Sequence, residues 1–219
     1  MDEDGAPVRE AAVDPALFRP DAFIARARRR LAGSQADAMA GGDHVLNPGT
    51  FAAGATYRDA AVLIPLVARV PTATLLFTQR TAHLSDHAGQ IAFPGGKVDP
   101  ADADPAAAAL REAREEIGLD PSAVAVVGQL GPYFTSTGYR VMPVLGRIEP
   151  GHHFVLNHDE VEETFEVPLP FLMMSANHRR GMRQFGGRMR YFYEMDFDGR
   201  TIWGATAGII RQLYERVMA

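Results

Sequence analysis

DPAAAALREAREEIGL, residues 104–119, is the stretch that decides the fold. Asp104 has the side chain of a good N-cap, Pro105 suits the first helical position, and Gly118 is a typical helix stop. The pattern therefore predicts a helix from about residue 105 to residue 117. Apolar residues recur along it at helical spacing and predict a buried stripe made of Ala106, Leu110, Ala113 and Ile117.

Three glutamates lie within two turns of this predicted helix: Glu112, Glu115 and Glu116. At 3.6 residues per turn they are expected on the side opposite the apolar stripe. Glu112 and Glu116 have a spacing at which like charges repel by roughly a few tenths of a kcal/mol. Taken alone, the helix has two interpretations: its polar face is solvated, or that face binds something cationic.

FPGGKVDP, residues 93–100, precedes the helix and adds a second feature. Gly95 and Gly96 can adopt backbone conformations closed to other residues and bring their carbonyl groups near a ligand or an ion. A glycine loop and three carboxylates together give clustered oxygen ligands, which hard divalent cations such as Mg²⁺ select. Protein-bound Mg²⁺ usually keeps waters and bridges to substrate phosphates, so the glycine loop makes a merely solvated face the weaker of the two interpretations.

The composition is that of an ordinary globular protein. The 219 residues are 47% hydrophobic and 22% charged, enough to bury a sizeable core. The formal net charge of −5 argues against a general binder of nucleic acids or membrane surfaces. Lys97 is the only lysine, so any basic pocket must be built mostly from arginine. There is no cysteine, which excludes disulfides, thiolate nucleophiles and Cys-ligated zinc. The acidic N-terminus and the lack of an apolar run of roughly 20 residues predict a cytoplasmic protein with no membrane partner.

The N-terminal quarter of the chain contains one predicted helix. Residues 20–33 have apolar side chains at helical spacing, and their arginines are expected on a solvated face. The residues expected to be buried are Phe23, Ile24, Ala27 and Leu31. Residues 34–54 are punctuated by Gly, Asn and Pro and are interpreted as a linker or loop.

The rest of the chain predicts helices packed on a mixed sheet. Short apolar runs indicate four buried strands, at residues 60–70, 73–80, 123–130 and 139–148. Residues 190–203 are typical of a hairpin with a two-residue turn at Asp198 and Gly199. Residues 205–218 predict a closing helix.

GGKVDPADADPAAAALREAREEIGL, residues 95–119, resembles the signature of the Nudix hydrolases. These are Mg²⁺- or Mn²⁺-dependent enzymes that cleave a nucleoside diphosphate linked to another moiety. The Arg-Glu-x-x-x-Glu-Glu-x-Gly core of the signature is matched at Arg111, Glu112, Glu115, Glu116 and Gly118. The interval from Gly96 to Arg111 is one residue longer than the commonest form, and the family's early glutamate falls near Asp102, Ala103 and Asp104.

LLFTQRTAHLSDHAGQIAFPGG, residues 75–96, is similar to the additional signature of the Nudix subfamily that hydrolyses coenzyme A. The one-residue lengthening is also usual in that subfamily. Further matches at residues 135–146 and 203–210 extend the likeness over roughly residues 55–215. The resemblance implies an α/β (α+β) fold, a Nudix-type α/β/α sandwich with a mixed sheet, over residues 53–219. Residues 1–52 are then an N-terminal extension.

The activity implied is hydrolysis of the diphosphate bond of coenzyme A and acyl-coenzyme A, which gives 3′,5′-ADP and (acyl-)4′-phosphopantetheine. One alternative is another nucleoside diphosphate derivative, such as ADP-ribose or NADH. Another is a nucleotide-binding regulator with little turnover, although a binder has no need for three closely spaced carboxylates.

The resemblance also implies roles for individual residues. Glu112, Glu115 and Glu116 are expected to bind Mg²⁺ or Mn²⁺ together with a carbonyl of Gly95 or Gly96, and Arg111 to orient a neighbouring glutamate. The general base is expected from a later acidic loop, where Glu160 is preferred over Glu162 and Glu163. The candidate contacts of the small-molecule substrate are Arg80, His87, Lys97 and Arg140.

Two further expectations concern aromatic residues. Phe93, Phe134 and Trp203 are expected to pack in the core rather than to stack on a base. The hairpin at residues 190–197 carries apolar surface that a monomer would have to cover, and members of the resembled subfamily commonly pair. The sequence therefore predicts a homodimer.

Overall fold

The structure is a computed structural model that describes residues 14–32, 41–49, 56–83, 88–185 and 187–218. Within these ranges the helices are α1 (Pro20–Leu31), α2 (Pro105–Ile117), α3 (Leu169–Leu172) and α4 (Ala205–Val217). The first strands are β1 (Gly41–Gly42), β2 (Arg58–Val67), β3 (Thr74–Arg80), β4 (Ile91–Ala92), β5 (Gly95–Lys97) and β6 (Ala125–Gln129). The later strands are β7 (Tyr133–Phe134), β8 (Tyr139–Ile148), β9 (Val161–Pro168), β10 (Arg179–Phe185), β11 (Arg188–Phe197) and β12 (Arg200–Trp203). No helix in the described ranges is both long enough and apolar enough to cross a membrane.

Nine of these strands form one mixed sheet. Six follow the order β1-β7-β8-β2-β3-β4, and β5, β6 and β9 pair with β2, β8 and β3 respectively. At its centre β2 runs parallel to β8, from Arg58 opposite Tyr139 to Val67 opposite Ile148. The β3–β9 and β6–β8 pairs are antiparallel. The mixed sheet is therefore confirmed, as are the four strands predicted from apolar runs, which are β2, β3, β6 and β8.

Helices cover both faces of this sheet. Successive residues of a strand point to opposite faces. On β2, Leu63 is buried in a cluster with Ala109, Ala113 and Ile117 of α2. Its neighbour Ile64 is buried in a second cluster, with Phe23 of α1 and Leu213 of α4. The arrangement is the predicted α/β/α sandwich.

Helix α2 begins and ends where the sequence predicts. The side chain of Asp104 accepts a hydrogen bond from the Ala107 N–H at 2.8 Å, and Gly118 ends the helix with φ 67°. The predicted stripe is partly wrong: Ala106 and Leu110 lie at its margin, and the buried residues are Ala108, Ala109, Ala113, Glu116 and Ile117. The face turned to the sheet is thus rotated from the one the apolar residues alone indicate.

The rotation separates the three glutamates, which were expected together on the solvent side. At about 100° per residue, Glu116 lies about 20° around the helix from Ala109, whereas Glu115 lies about 120° from it. Glu116 is 4% exposed, and the side chains of Glu112 and Glu115 are 18% and 57% exposed. The exposure of the three glutamates therefore increases from Glu116, which faces the sheet, through Glu112 to Glu115, which faces solvent.

The N-terminal segments are attached to the sheet. The four residues predicted to be buried on α1 are buried, and Arg28, Arg29 and Arg30 are exposed, as predicted. The predicted linker is wrong at its centre, because β1 pairs with β7 and the Asp43 carboxylate accepts hydrogen bonds from the Tyr133 hydroxyl and the Ser136 N–H, both at 2.7 Å. Residues 34–40 and 50–54 of that predicted linker lie outside the described residues.

A second sheet consists of β10, β11 and β12. The hairpin between β11 and β12 is confirmed, and its turn residues Asp198 and Gly199 have φ values of 49° and 74°. Positive φ at both central residues is what a two-residue turn of type I′ requires. Strand β10, which pairs with β11 from Arg179 opposite Glu194 to Phe185 opposite Arg188, was not predicted.

Candidate active site

One cavity of about 520 Å³ lies where β5 and α2 meet. We call it the acidic cavity. The rest of its lining consists of Ala60, Val62, Gly95 and Gly96, and its charged and polar side chains are Arg80, Lys97, Glu112, Glu116, Tyr139 and Glu160. The structure therefore brings together two of the three motif glutamates, both glycines and the preferred base candidate.

Gly95 and Gly96 allow the strand to approach the carboxylates closely. A Cβ atom on Gly96 would lie 2.5 Å from the carboxylate of Glu112, and one on Gly95 would lie 2.4 Å from the backbone oxygen of Ala61. The contact at Gly95 is with backbone and excludes a side chain there, whereas a side chain at Gly96 would have to displace the carboxylate of Glu112. The Gly95 N–H donates a hydrogen bond to Glu116 Oε2 at 3.2 Å, so the absence of a side chain brings this backbone into direct contact with the acid.

Glu116 is a buried acid among like charges. Its burial raises its pKa to about 8, and the charges of Glu160 and Glu112 act in the same direction. The Gly95 N–H and the Arg80 guanidinium oppose the rise. Burial also raises the pKa of Glu112, against the effect of Arg111. Together these groups make a site in which negative charge is poorly compensated by the protein itself.

Arg111 connects several acids at the rim of the cavity. Its Nε and Nη2 donate to the two carboxylate oxygens of Asp102 at 3.1 and 3.0 Å. Its Nη1 donates to Glu112 at 2.9 Å and to Glu115 at 3.2 Å, and its Nη2 also donates to the Lys97 carbonyl at 3.0 Å. These hydrogen bonds lower the pKa of Asp102 and raise that of Arg111. Arg111 is thus more than a surface partner of Glu115.

Asp102 is a site residue to which the sequence assigned no role. It was one of three residues near the position of the family's early glutamate. The sequence could have identified Asp102 by comparison with its neighbours. Asp104 is the N-cap of α2, and Ala103 has no polar side chain. Asp102 was therefore the remaining acid within reach of Arg111.

Glu160 reaches the acidic cavity because backbone hydrogen bonds hold its loop against the end of α2. The N–H of Val155 donates to the Ile117 carbonyl at 3.1 Å, and the N–H of Asn157 donates to the Glu116 carbonyl at 2.9 Å. The Asn157 side chain also donates to Glu160 Oε1 at 3.4 Å. The two competing candidates lie elsewhere, since Glu162 is exposed and Glu163 pairs with Arg200 at 2.9 Å.

The remaining predicted residues are placed differently from one another. Arg80 lines the acidic cavity with a buried Nε that has no hydrogen-bond partner among the described residues, and Lys97 is exposed at its edge. Glu115 does not line the acidic cavity and borders a different surface pocket. Arg140 pairs with Asp59 at 2.7 Å on the surface and does not line the cavity. His87 lies outside the described residues.

The donor set fits a divalent cation that shares its ligands with a substrate. In the described part of the chain no three His, Asp or Glu side chains form a ready-made metal cluster. Mg²⁺ commonly uses only one or two carboxylates and completes its coordination with water and substrate phosphates. The close approach of Gly96 to Glu112 and the uncompensated charge around Glu116 are compatible with such an ion.

Trp203 departs from the expectation for the aromatic residues. Phe93 is in the core, 4% exposed and stacked on Phe77. Phe134, which was also expected in the core, is only half-buried, against Tyr57, and belongs to neither core cluster. Trp203, which was expected to pack in the core, is only half-buried and lines a second cavity.

Comparisons with known proteins find a family model and relatives that match this chain. The model of the NUDIX domain matches residues 56–178. Proteins named "Uncharacterized Nudix hydrolase NudL" from Escherichia coli strain K12 and from Shigella boydii serotype 4 are 49% identical to this chain over 161 residues. The match covers 72% of this chain and 81% of each relative.

Solved structures give weaker matches. A MutT/nudix family protein from Enterococcus faecalis is 16% identical, with a TM-score of 0.48, over 76% of this chain and 64% of that one. The NUDIX domain of Shewanella oneidensis NrtR, solved with ADP ribose, is 17% identical, with a TM-score of 0.40, over 58% of this chain and 82% of that one.

Proposed function

The chain belongs to the Nudix hydrolase family, and within that family we propose that it cleaves the diphosphate bond of coenzyme A and its acyl thioesters. Nudix hydrolases are pyrophosphohydrolases that act on nucleoside diphosphate derivatives, and they generally use divalent metal ions. The proposal adds the substrate. Its products are 3′,5′-ADP and 4′-phosphopantetheine, the latter carrying the acyl group when a thioester is cleaved.

The observation that carries the choice of substrate is the segment from Leu75 to Gly96, which resembles the signature of the coenzyme A-hydrolysing subfamily. Its described residues include Arg80, Gly95 and Gly96, which all line the acidic cavity. Gly95 and Gly96 also belong to the general Nudix signature, so Arg80 is the residue of this segment through which the subfamily signature contributes to the cavity of the motif glutamates. This placement supports the proposal, because residues that select a substrate must reach it.

We assign the metal ligands to Glu112, Glu115 and Glu116, with a carbonyl of Gly95 or Gly96. Glu112 and Glu116 line the cavity, whereas Glu115 lies outside it and shares the Nη1 group of Arg111 with Glu112. A bound Mg²⁺ or Mn²⁺ supplies charge neutralisation at the diphosphate and an acidified water. In return, the cation compensates the buried charge of Glu116.

Two residues act around this set without binding the ion. Arg111 holds Glu112 through Nη1 and is itself fixed by both oxygens of Asp102, so it positions the glutamate. Glu160 is the proposed general base and takes a proton from the attacking water at its carboxylate. Its half-buried position beside Glu116 is where such a proton acceptor is needed.

Arg80 and Lys97 are the proposed phosphate contacts, with His87 and Arg140 as further candidates. Arg80 is the best placed, because a buried guanidinium nitrogen without a partner has unused hydrogen-bonding capacity toward an anion. Arg140 could contact the substrate only by giving up its ion pair with Asp59.

The test is mass spectrometry of the products formed from coenzyme A and acetyl-coenzyme A with Mg²⁺ or Mn²⁺ in ¹⁸O-labelled water. We expect 3′,5′-ADP and the matching phosphopantetheine, with one ¹⁸O atom whose position identifies the phosphorus attacked. Glu116→Gln, prepared in parallel, controls for contaminating enzymes. It should lose at least about a hundredfold in kcat/KM, since several kcal/mol of transition-state stabilisation depend on the ion. Intact coenzyme A after prolonged incubation with wild type would refute the proposal.

A further inference from the structure

The second cavity lies between the three-stranded sheet and the loop that precedes β8, and it has a volume of about 320 Å³. Five side chains define it, and we call it the aromatic–arginine pocket. They are Arg183, Phe185, Arg190, Phe192 and Trp203. The cross-strand pairs of Arg183 with Arg190 and of Gly181 with Phe192 place these residues on one face of the sheet.

The two arginines lie over aromatic rings. The Arg183 guanidinium is 4.8 Å from the centroid of Trp203 and 5.9 Å from that of Phe192, and Arg190 is 5.2 Å from that of Phe185. A guanidinium that stacks by its face keeps its N–H groups at the edge, where they can bind an anion. Flat cations and aromatic rings are also the surfaces on which nucleobases stack.

These arginines lack the ion pairs that their neighbours have. Arg179 pairs with Asp196, and Arg200 pairs with Glu163. Among the described residues no carboxylate lies within 4 Å of Arg183 or Arg190. The one acid that lines the pocket is Asp43, and its oxygens accept hydrogen bonds from Tyr133 and Ser136. In a chain with a net charge of −5, this concentration of positive charge without a partner acid is unusual.

The pocket adjoins the acidic cavity through two segments. Thr137 lines the pocket and Tyr139 lines the cavity, and two residues along a chain span at most about 7 Å. On the other side the Gln90 carbonyl, in the wall of the pocket, accepts a hydrogen bond from the N–H of Arg80 at 3.0 Å. The pocket and the acidic cavity are therefore neighbours along both segments.

We propose that the aromatic–arginine pocket binds the 3′-phosphoadenosine end of the substrate, with the purine on the Arg183–Trp203 surface and the 3′-phosphate between Arg183 and Arg190. This inference rests on the proposed function and deepens it. Of the two ends of coenzyme A, only the nucleotide end carries both an aromatic base and an additional phosphate. The pantetheine arm is uncharged and would leave both arginines without a counter-charge. The start of α4 at Ala205, which no side chain caps, also lines the pocket and adds positive potential.

Trp203 is the only tryptophan in the chain, so its fluorescence reports on this pocket alone. We expect 3′,5′-ADP to change that fluorescence in a saturable manner and to bind at least about tenfold more tightly than 5′-AMP, which lacks the 3′-phosphate. 4′-Phosphopantetheine should leave the signal unchanged. Arg183→Gln and Arg190→Gln should each weaken 3′,5′-ADP binding by about tenfold and reduce the preference over 5′-AMP.

Arg180→Gln is the matched control, because Arg180 is exposed on the same strand, faces the opposite side of the sheet and does not line the pocket. It should bind 3′,5′-ADP like wild type. If wild type cleaves coenzyme A but Trp203 does not respond to 3′,5′-ADP, or if all three arginine variants bind alike, this inference is overturned and the proposed function stands. An arginine-dependent response in a protein that does not cleave coenzyme A would keep the pocket and overturn the proposed function.

Discussion

Glu116 has the least favourable electrostatic environment of the motif glutamates. It occupies a position of α2 that faces the sheet, is 4% exposed, and has the charges of Glu112 and Glu160 beside it. A carboxylate in such a place is costly unless a cation compensates it. Its presence there is a physical argument for a metal ion that does not depend on the motif.

This burial makes stability depend on pH when no metal is present. The pKa of Glu116 is about 8 in the folded protein and takes its ordinary value of 4.5 in the unfolded chain. Between these pH values the folded protein keeps a proton that the unfolded chain has released. The contribution of Glu116 to the free energy of unfolding therefore falls as pH rises from about 4.5 to about 8, and it is constant on either side.

Glu116→Gln should remove this pH dependence, because glutamine keeps the shape and carries no charge. In buffer with EDTA, urea unfolding should give similar free energies for wild type and variant at pH 5. At pH 8 the variant should be more stable, by on the order of 2 to 4 kcal/mol. Glu115→Gln is the matched control on the exposed side of the helix and should follow wild type at both pH values. If the free energy of unfolding changes with pH in the same way for wild type and Glu116→Gln, ionisation of Glu116 does not destabilise the folded protein, and the prediction is wrong.

At the scale of single elements, the sequence predicts what is local. The caps of α2 follow from Asp104, Pro105 and Gly118, since each satisfies or ends the backbone within its own turn. The face that α2 buries depends on the sheet it meets. A glutamate that faces this sheet cannot be recognised from helical periodicity, which places charge outside.

Two of the elements that were not predicted, β10 and β1, share a physical cause. Strand β10 carries three arginines and is largely exposed, so no apolar alternation marks it. Only pairing with β11 makes it a strand. Strand β1 consists of two glycines, which have no side chains to reveal it, and it is ordered by contacts with β7. Both depend on partners distant in sequence.

In the candidate site, too, the features set by neighbouring residues could be predicted and those that depend on distant residues could not. Residues of the helix motif and the glycine loop could be predicted, because their spacing within one segment brings them together. Arg140 could not be placed from sequence, because its partner Asp59 is opposite it only in the β2–β8 pairing. The aromatic–arginine pocket combines β10, β11 and β12 and has no signature within any one of them.

At the scale of the whole molecule, the hairpin of the second sheet leaves apolar side chains unpacked. Met182, Met189 and Tyr191 are 63%, 47% and 46% exposed. The pairing of Met182 with Tyr191 puts both side chains on one face of this sheet, although Tyr191 also lines the aromatic–arginine pocket. This exposed apolar face is a surface that a second copy of the chain can cover.

We predict a homodimer through this face. Light scattering at working concentrations should give about twice the chain mass of 23.8 kDa. Met182→Glu should shift the protein toward the monomer, because it places a charge within apolar surface. Val70→Glu is the control, since Val70 is 76% exposed outside this sheet, and it should leave the mass unchanged. A wild-type mass near 24 kDa would contradict the prediction.

The central claim joins the two cavities: a diphosphate bond is hydrolysed in the acidic cavity, and the substrate is coenzyme A. Kinetics with Mg²⁺ on a panel of coenzyme A, ADP-ribose, NADH and nucleoside triphosphates tests this claim most directly. One charge-assisted contact to the 3′-phosphate corresponds to about ten- to a hundredfold in kcat/KM. We therefore expect kcat/KM for coenzyme A to exceed that for every other compound by at least about tenfold. Faster turnover of ADP-ribose or NADH than of coenzyme A would contradict the claim and leave only the family assignment.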